Sequence, residues 1–394
     1  MNKKSIKDID IKNKRVLMRV DFNVPQNDKL DITDDARIVA ALPSIKYAIS
    51  QGSRVILMSH LGRPKGAPVA KYSLKPVSEK LFQLLGKKVA MASDCIGPEV
   101  KKAAEAMKPG DMLLLENLRF HKEEEANDAG FAKELASLGD VYVNDAFGTA
   151  HRAHASTEGV TKFLPSVSGL LVEKEIEYFE KAVSDPQKPY VAILGGAKVS
   201  DKIEVIKNLM KKVDAILIGG GMAYTFLKAQ GIEIGNSKLE ADKVGLAKEI
   251  LAEASVKKIK IALPVDHVIA DKLDASADAK VTEGAAIPAG MLGLDVGPKT
   301  VRLFEEALKD AKTIVWNGPL GVFEIDKFDK GTRDVANFIA GLKCTSIIGG
   351  GDTAAAIAKF GLEDKMSHIS TGGGASLEYL EGKTLPGIAA LNDK

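Results

Sequence analysis

Arginine, histidine and Asp or Asn side chains follow the apolar runs in the first 152 residues of this chain. They occur in four short segments: Arg19-Val-Asp-Phe-Asn23, Ser59-His-Leu-Gly-Arg63, Glu116-Asn-Leu-Arg119 and Ala150-His-Arg-Ala-His154. Arginine binds carboxylates and phosphates through two parallel hydrogen bonds, which lysine cannot do. Seven of the nine arginines lie at or before Arg152, whereas lysine is spread throughout. This half of the chain therefore suits the binding of a small polyanion.

Glycine, lysine and acidic residues follow the apolar runs of the second half. The segments are Gly195-Gly-Ala-Lys198, Gly219-Gly-Gly221, Asn317-Gly-Pro319, Gly349-Gly-Gly-Asp352 and Gly372-Gly-Gly374. Glycine lets the backbone approach a ligand closely, and a helix start offers free N–H groups to a phosphate. A chain with both sets of turns is expected to be a phosphotransferase with one substrate bound by each half.

Two strand–glycine–helix units near the C-terminus give the strongest phosphate signal. Gly349-Gly-Gly-Asp-Thr353 follows an apolar run and opens the predicted helix 353–360, and Gly372-Gly-Gly-Ala-Ser376 repeats this design. Asp352 could hold Mg²⁺ through one carboxylate, as is usual for nucleotide-bound magnesium. A third turn places Lys198 and Lys202 beside a helix start, where a cation opposes the helix dipole unless an anion compensates.

Several common motifs are missing from the sequence. GxxxxGK[ST] does not occur, which disfavours a P-loop NTPase, and the GxGxxG pattern of dinucleotide-binding dehydrogenases is also missing. His151 and His154 invite a metal interpretation, but HExxH is absent, and so is the GxSxG of serine hydrolases. Cys95 and Cys344 have no CxxC partner, so no disulfide framework or zinc motif is indicated.

Short apolar runs alternate with amphipathic stretches over the whole length, which predicts an α/β fold of two doubly wound, Rossmann-like parallel-sheet domains. Their β-branched or leucine-rich composition without alternation is typical of strands buried on both faces. Ser200 is a predicted N-cap, followed by a helical stripe at positions 203, 206, 209, 210 and 213. The predicted strands are 15–20, 54–59, 112–116, 140–144, 190–194, 214–218, 259–263, 313–316, 345–348 and 367–370.

A charged amphipathic helix over 170–183, followed by the proline-bounded segment 184–189, predicts a hinge between the domains. The predicted division is residues 1–169 with a C-terminal tail 385–394, a hinge helix and linker over 170–188, and a nucleotide-binding domain over 189–384. Ligands of open parallel sheets bind beyond the carboxyl ends of the strands, where all of the turns above occur.

Composition narrows the class of protein. The chain has 394 residues, 45% hydrophobic content and a formal net charge of +2, which gives no support to a nucleic-acid or membrane-surface role. No apolar run approaches a membrane span, and the start lacks a signal-peptide core, so a cytoplasmic location is expected.

The ordered segments together resemble the phosphoglycerate kinase family over the full length, in its shorter bacterial form. The segments that carry the resemblance include Arg19-Val-Asp-Phe-Asn-Val-Pro25, Ser59-His-Leu-Gly-Arg-Pro64, Val143-Asn-Asp-Ala-Phe-Gly148, Gly195-Gly-Ala-Lys-Val-Ser-Asp-Lys202, Trp316-Asn-Gly-Pro319 and Ser370-Thr-Gly-Gly-Gly-Ala-Ser376. The resemblance implies reversible phosphoryl transfer between 1,3-bisphosphoglycerate and ADP, giving 3-phosphoglycerate and MgATP, by a monomer. We expect direct in-line transfer with hinge closure.

The resemblance also implies roles for individual residues. The residues implied to bind phosphoglycerate are Asp21, Phe22, Asn23, Arg37, His60, Leu61, Gly62, Arg63, Arg119 and Arg152. The residues implied to serve the nucleotide are Lys202, Gly219, Gly220, Gly293, Asn317, Glu324, Gly350, Gly351, Asp352 and Thr353, with Asp352 on Mg²⁺. Arg37, Lys198, Gly351 and Gly374 are implied to surround the phosphoryl group during transfer.

Three alternatives remain open from the residues. Another carboxylate kinase of the amino-acid kinase type also lacks a P-loop, but it has less reason for an arginine cluster on a separate domain. A two-lobed anion-binding protein would not need the second GGG turn or Lys198. A Rossmann dehydrogenase would be detected by NAD binding.

Overall fold

The computed structural model describes residues 2–184 and 186–394. Met1 and Asp185 lie outside the described residues, and Asp185 belongs to the predicted linker. The chain forms two compact units: unit 1 comprises Met1–Glu177 with Thr384–Lys394, and unit 2 comprises Tyr178–Lys383. The division at Glu177 lies inside the helix that the sequence predicts as a hinge.

A six-stranded sheet in which every pairing is parallel forms the centre of unit 1. The sheet order is β3-β4-β2-β1-β5-β6. The strands are β1 (Arg15–Val20), β2 (Arg54–Met58), β3 (Val89–Met91), β4 (Met112–Leu114), β5 (Val141–Asp145) and β6 (Ser166–Ser168). Each strand predicted in this half is present. The strands at the two edges, β3 and β6, were not predicted, because Val89–Met91 follows two lysines and Ser166–Ser168 contains a single apolar residue, so neither belongs to a long apolar run.

Unit 2 has a second six-stranded parallel sheet, of order β15-β14-β13-β7-β8-β9. Its strands are β7 (Tyr190–Leu194), β8 (Ala215–Ile218), β9 (Lys260–Ala262), β13 (Thr313–Asn317), β14 (Thr345–Gly349) and β15 (His368–Ile369). All of these were predicted. A separate antiparallel sheet was not; its strands are β10 (His267–Ala270), β11 (Lys280–Val281) and β12 (Leu292–Val296).

Helices connect the strands and cover the sheets. They are α1 (Ala36–Ser50), α2 (Lys75–Leu85), α3 (Pro98–Glu105), α4 (Lys122–Glu125), α5 (Ala129–Ala136), α6 (Leu170–Val183), α7 (Ile203–Leu209), α8 (Met222–Ala229), α9 (Val244–Val256), α10 (Pro298–Leu308), α11 (Lys330–Ala340), α12 (Gly351–Lys359), α13 (Gly374–Leu380) and α14 (Pro386–Ala389). None of the helices in residues 2–184 and 186–394 is long and apolar enough to cross a membrane.

The start of α7 differs from the prediction. The helix begins at Ile203, so Ser200 is not its N-cap, and Val213 lies beyond its end. The hydroxyl and amide of Ser200 instead donate hydrogen bonds to the carboxylate of Glu240. A polar partner from a distant segment has therefore replaced the local capping interaction that serine usually makes.

Successive side chains of β1 alternate between two apolar cores on the faces of the unit 1 sheet. Met18 packs with the helices on one face, whereas Leu17 packs with Ile56 and Tyr142 on the other. Arg19 has the same parity as Leu17 and is only 1% exposed, so strand geometry carries a guanidinium into the interior. Such a group requires polar partners, and these lie at the carboxyl end of the sheet.

Candidate active site

In each sheet, two adjacent central strands mark a switch point, where the chain connections lead outward in opposite directions. In unit 1 the connections diverge between β1 and β5, and in unit 2 they diverge between β7 and β13. Ligands of doubly wound sheets bind at this position, outside the carboxyl ends of the strands. The turns that carry Asp21, Arg152, Lys198 and Gly318 follow these four strands directly or within a few residues. The topology therefore places most of the predicted residues at a binding edge.

Arg19, the buried arginine of β1, fixes the tautomer of His60, which is one of the predicted ligand-binding residues. Arg19 Nη2 lies 3.1 Å from Nδ1 of His60, whose ring is buried. A guanidinium only donates hydrogen bonds, so Nδ1 accepts and the ring proton is left on Nε2. Arg19 Nε also donates to Ser156 Oγ at 2.9 Å, and Ser156 Oγ donates to the buried carboxylate of Glu124. Sequence analysis missed this supporting role of Arg19, because the partners His60 and Ser156 lie far from it in the sequence.

Four arginines surround His60. Burial lowers the pKa of His60 well below its usual range, and the charges of Arg19, Arg119, Arg152 and Arg37 lower it further. The imidazole is therefore neutral at physiological pH and serves as a hydrogen-bond donor in a strongly positive environment. An anion placed beside it would be attracted by the arginines, and the neutral histidine would contribute a hydrogen bond without a charge.

The turn after β1 is tied to the start of α1 and to the turn after β2. Arg37 Nη1 donates to the carbonyl of Asn23 at 3.0 Å and contacts the carboxylate of Asp21 at 3.3 Å. The side-chain oxygen of Asn23 accepts from the amide of Gly62 at 2.8 Å. Gly62 has a φ of 63°, and a Cβ there would lie 2.3 Å from the ring of Tyr72. Glycine is thus required where these three predicted segments meet.

Arg119 has a hydrogen-bond donor that is available to a ligand. Its Nη1 donates to the carbonyl of Gly62 at 2.9 Å, and Nε lies 3.2 Å from a carboxylate oxygen of Glu125. Nη2 is buried, with no hydrogen-bond partner among the described residues. A buried N–H without a partner costs free energy that a bound oxyanion would recover.

The remaining predicted residues of unit 1 occupy different environments. The side chains of Phe22 and Leu61 lie in the apolar core, so only their main chain could contact a ligand. Arg63 is exposed, one residue after Gly62. Arg152 is half-buried, and its Nε donates to Nε2 of His151 at 3.2 Å. Hydrogen bonds therefore link Asp21, Asn23, Arg37, Gly62 and Arg119 into one group, and Arg63 is the chain neighbour of Gly62.

A cavity of about 370 Å³ lies at the carboxyl edge of the unit 2 sheet. Four predicted nucleotide residues line it: Gly220, Gly293, Glu324 and Asp352. Gly219 does not; it packs closely on Leu320, since a Cβ there would lie 2.5 Å from the leucine side chain. The cavity walls also include residues that sequence analysis missed, namely Tyr224, Lys238, Leu273 and Leu292. Tyr224 lies in α8 and Lys238 in the segment after it, whereas Leu273 and Leu292 come from the antiparallel sheet and its flank, which carry no phosphate motif.

A buried lysine and an asparagine meet beside this cavity. The ammonium group of Lys202 donates to Oδ1 of Asn317 at the end of β13. Burial lowers the pKa of Lys202 to about 8, and the carboxylates of Asp201, Asp352 and Glu381 partly oppose that shift. Nδ2 of Asn317 is buried and has no hydrogen-bond partner within the described part of the chain. The pair thus offers a cationic group and a free amide donor.

The start of α12 combines the features of an anion site. Gly350 has a φ of 88° and precedes the first helical residue, Gly351, so the backbone turns sharply before presenting its N–H groups. Asp352 is exposed in the first turn. The hydroxyl of the buried Thr353 accepts from the amide of Gly318 at 2.7 Å, which ties α12 to the turn after β13.

Two further predicted residues of unit 2 lie on glycine turns. Lys198 is exposed on the turn after β7. Gly374 is the first residue of α13, preceded by Gly373 with a φ of 50°. Ser370 and Ser376 share a hydrogen bond of 2.6 Å that closes this turn. Both positions leave main-chain or side-chain donors at the carboxyl edge of the sheet.

Comparisons with known proteins match the whole chain. The family model described as phosphoglycerate kinase matches residues 6–383. The phosphoglycerate kinase of Koribacter versatilis is 60% identical, and that of Pseudothermotoga lettingae is 58% identical, with 100% of each chain covered in both cases.

Solved structures agree with these sequence relatives. The phosphoglycerate kinase from Coxiella burnetii has a TM-score of 0.90 and 45% identity, and the enzyme from Pyrococcus horikoshii has a TM-score of 0.86 and 34% identity, with 98% of each chain covered. The arginine-rich edge of one sheet and the glycine-rich edge of the other thus occur in a chain whose full length matches one family of enzymes. The chain belongs to the phosphoglycerate kinase family.

Proposed function

We propose that this protein catalyses reversible phosphoryl transfer between 1,3-bisphosphoglycerate and ADP, giving 3-phosphoglycerate and ATP, a reaction of glycolysis. It is a phosphotransferase with a carboxyl group as acceptor. The observation that carries the proposal is the arginine cluster of unit 1, in which Arg19 holds His60 and the buried Nη2 of Arg119 has no hydrogen-bond partner among the described residues. A three-carbon acid with a phosphate group has the two anionic ends that such a cluster would bind.

The phosphoglycerate is assigned to unit 1. Arg119 would bind an anionic oxygen through its buried Nη2, and Nε2–H of His60 would donate to the same ligand. Arg37, Arg152 and Arg63 would complete the charge, while Asp21 and Asn23 hold Arg37 in place. Arginine is required here because its planar group matches carboxylate and phosphate geometry.

The nucleotide is assigned to unit 2. The apolar part of the cavity, with Leu292 and Leu320, would take the base, and Glu324 would accept from ribose hydroxyls. Lys202, Asn317 and the N–H groups of Gly351 to Thr353 would contact phosphate oxygens. Gly220 and Gly293 would contribute main chain to the cavity wall, and both must be glycine because a Cβ would lie 2.6 Å from the amide nitrogen of Gly196 and 2.2 Å from the hydroxyl of Tyr224, respectively.

Magnesium fits the carboxylate of Asp352. This group is exposed, lines the cavity and stands in the first turn of α12, where nucleotide phosphates would lie. Mg²⁺ is usually bound by one or two carboxylates together with substrate phosphates. When bound, it would neutralise part of the phosphate charge.

The chemistry requires position and positive charge more than acid–base catalysis, because the transferred group passes through a loose, metaphosphate-like state. Lys198 and the N–H groups of Gly351 and Gly374 are the donors of unit 2 proposed to stabilise that state. Arg37 is assigned to the phosphoglycerate, and its additional role in transfer stays a prediction. Direct in-line transfer predicts inversion at a chiral phosphorus, and net retention would contradict it.

We also propose that the chain acts in the cytoplasm as a monomer, as family resemblance implies. Sedimentation equilibrium would measure the mass directly, and a dimer mass at micromolar protein would refute the monomer.

The test is a coupled assay with ATP, Mg²⁺ and 3-phosphoglycerate that follows acyl-phosphate formation through NADH oxidation. We expect turnover by the parent, and Arg119→Lys to raise KM for 3-phosphoglycerate at least about tenfold with little change in KM for ATP. Arg302→Lys, at an exposed arginine of unit 2, is the matched control and should behave as the parent. A folded parent without turnover would overturn the proposal.

A further inference from the structure

Three potential metal ligands meet in unit 1 outside the site described above. They are Asp94 and Cys95, which follow β3, and His121, which follows the short helical turn Leu118–Phe120 after β4. One ligand atom from each lies within 4.8 Å of the others. Because β3 and β4 are adjacent parallel strands, the turns at their carboxyl ends come together although they are 26 residues apart in sequence. Because of that separation, no short sequence motif contains all three potential ligands.

The surroundings combine a buried sulfur with two accessible ligands. The side chain of Cys95 is fully buried in the core that contains Leu118 and Phe131. The side chains of Asp94 and His121 are 45% and 26% exposed. Both line a cavity of about 380 Å³ together with Ser73, Ser93 and Glu116. An ion and its water could therefore enter from the cavity and reach the thiol beneath.

The ring of His121 and the main chain of Cys95 both contact one carboxylate oxygen of Asp94. His121 Nε2 lies 2.7 Å from Asp94 Oδ1, and the amide of Cys95 donates to the same oxygen at 2.6 Å. The glutamate on the cavity wall is already engaged, because Glu116 accepts from the Ser73 hydroxyl and the Leu74 amide. The available ligand set is thus one oxygen, one nitrogen and one sulfur.

We propose that Asp94, Cys95 and His121 bind a zinc ion, with a water molecule from the cavity as the fourth ligand. A thiolate and an imidazole select a borderline-soft ion and disfavour Mg²⁺ and Ca²⁺, which prefer oxygen ligands only. Three protein ligands with one open position is the arrangement of accessible zinc sites.

The geometry requires only local adjustment. In a tetrahedral site with bonds of about 2.0–2.3 Å, neighbouring ligand atoms lie about 3.3–3.6 Å apart. The pair at 2.7 Å must therefore separate, and the widest pair must approach. Rotation of the partly exposed Asp94 and His121 side chains can do both while Cys95 stays in the core.

Binding exchanges protons for the ion. Zinc binds the thiolate form of cysteine, so Cys95 must lose its proton on binding. The S–H bond breaks as the Zn–S bond forms, the proton leaves to solvent, and the imidazole of His121 binds in its neutral form. No oxidant or reductant is needed.

An ion at this position would connect the turn after β3 to the turn after β4, which also carries Arg119 of the phosphoglycerate site. His121 lies two residues after Arg119, and its carbonyl accepts from the amide of Glu124 at 3.3 Å. Glu124 in turn accepts from Ser156, the partner of Arg19. We therefore expect zinc to raise the melting temperature of the protein.

The test uses Co²⁺ as a spectroscopic substitute for zinc in the complete, reduced, metal-free protein, without nucleotide or Mg²⁺. We expect saturation at one equivalent, with a near-ultraviolet thiolate-to-cobalt absorption and visible bands of tetrahedral intensity. Zn²⁺ should displace the cobalt and remove both signals. Cys95→Ser should abolish the thiolate band, and His121→Asn should weaken binding at least about tenfold.

The matched control is Cys344→Ser, which removes the other free cysteine, half-buried in unit 2. It should retain the full cobalt spectrum. A parent without a thiolate band, or a band lost in Cys344→Ser and kept in Cys95→Ser, would overturn the proposal.

X-ray absorption of the zinc-loaded parent provides a second test that needs no variant. One sulfur and three nitrogen or oxygen neighbours are expected. A shell of oxygen and nitrogen only would mean that zinc binds surface carboxylates or histidines, and the proposed site would then be wrong even if Cys95→Ser failed to fold.

Discussion

A buried imidazole in unit 2 links protonation to stability. His267 is fully buried in β10, and its Nε2–H donates to the carbonyl of Ala285 at 3.2 Å. Burial lowers the pKa of His267 to about 4, against weaker opposing effects of the Ala285 hydrogen bond and of Asp266. The unfolded chain binds a proton near pH 6.5, so this residue stabilises the fold above that pH, and the stabilisation is lost as the pH falls towards 4.

We predict that His267→Gln loses less stability than the parent between pH 7.5 and pH 5. The difference should be about 2 kcal/mol, since one pH unit corresponds to about 1.4 kcal/mol for one proton. Urea unfolding at both pH values measures it. The buried Asp145, whose pKa burial raises to about 6, acts in the opposite direction but equally in both proteins. Equal pH slopes for parent and variant would contradict the prediction.

The exposed lysine after β7 gives a kinetic prediction. Lys198→Ala should lower kcat by about 10²–10⁴-fold with a small change in KM, if its charge acts mainly on the transition state. Steady-state kinetics with both substrates measures the split. Lys211→Ala, at an exposed lysine beyond α7, is the control and should keep the parent kcat. A change confined to KM would reassign Lys198 to ground-state binding.

Residue types near glycine turns were predictable from sequence, but burial was not. The turn positions of Lys202 and Asn317 follow from the apolar runs before them, whereas their mutual hydrogen bond depends on two segments far apart in the chain. Arg19 shows the limit of this reasoning. It sits in a strand with ordinary neighbours, and only the register of β1 carries it beneath His60.

At the level of elements, α12 has a glycine of positive φ at each end. Gly350 precedes the helix with a φ of 88°, and Gly361 follows it with a φ of 66°. A Cβ on Gly350 would lie 3.3 Å from Nδ2 of Asn317, whereas a Cβ on Gly361 would meet nothing within 4 Å. The same substitution thus strains the backbone at both ends but reaches the proposed phosphate site at only one.

We predict that Gly361→Ala costs about 1–2 kcal/mol of unfolding free energy, because alanine disfavours a positive φ. Gly350→Ala should cost at least as much, because a φ of 88° with a ψ of 139° is almost confined to glycine. Only Gly350→Ala should raise KM for ATP, by about tenfold or more. Urea unfolding and nucleotide-dependent kinetics measure the two effects. An equal rise of KM in both variants would show that strain in the helix, and not its N-terminus, controls nucleotide binding.

Ten of the twelve strands of the two parallel sheets were predicted from apolar runs, and the parallel arrangement followed from the lack of alternation. The antiparallel sheet β10–β12 was not predicted, because Gly293 and Asp295 interrupt the apolar run of β12, β11 has only two residues, and the pairing of β10 with β12 contains a bulge. This sheet and its flanks supply Leu273 and Leu292 to the cavity. Part of the candidate site is therefore formed by elements that the sequence pattern did not predict.

At the level of the whole molecule, the chain enters unit 2 once and returns to unit 1 for its last eleven residues, Thr384–Lys394. Leu385, Ile388 and Leu391 are buried there. The amide of Gly387 donates to the carbonyl of Ala150, and its carbonyl accepts from Asn144, both at 2.9 Å. The end of the chain thus supports the turn that leads to Arg152.

We predict that Ile388→Ala lowers the unfolding free energy by about 2–4 kcal/mol, since it leaves a cavity in a packed core. It should also raise KM for 3-phosphoglycerate several-fold while leaving KM for ATP unchanged, because Gly387 would no longer hold Ala150 firmly behind the arginine turn. Ile339→Ala in α11 of unit 2 is the matched control, since this isoleucine is equally buried. It should lose similar stability without affecting phosphoglycerate binding. If both variants raise that KM equally, the effect is general loosening of the protein, and the tail has no specific supporting role.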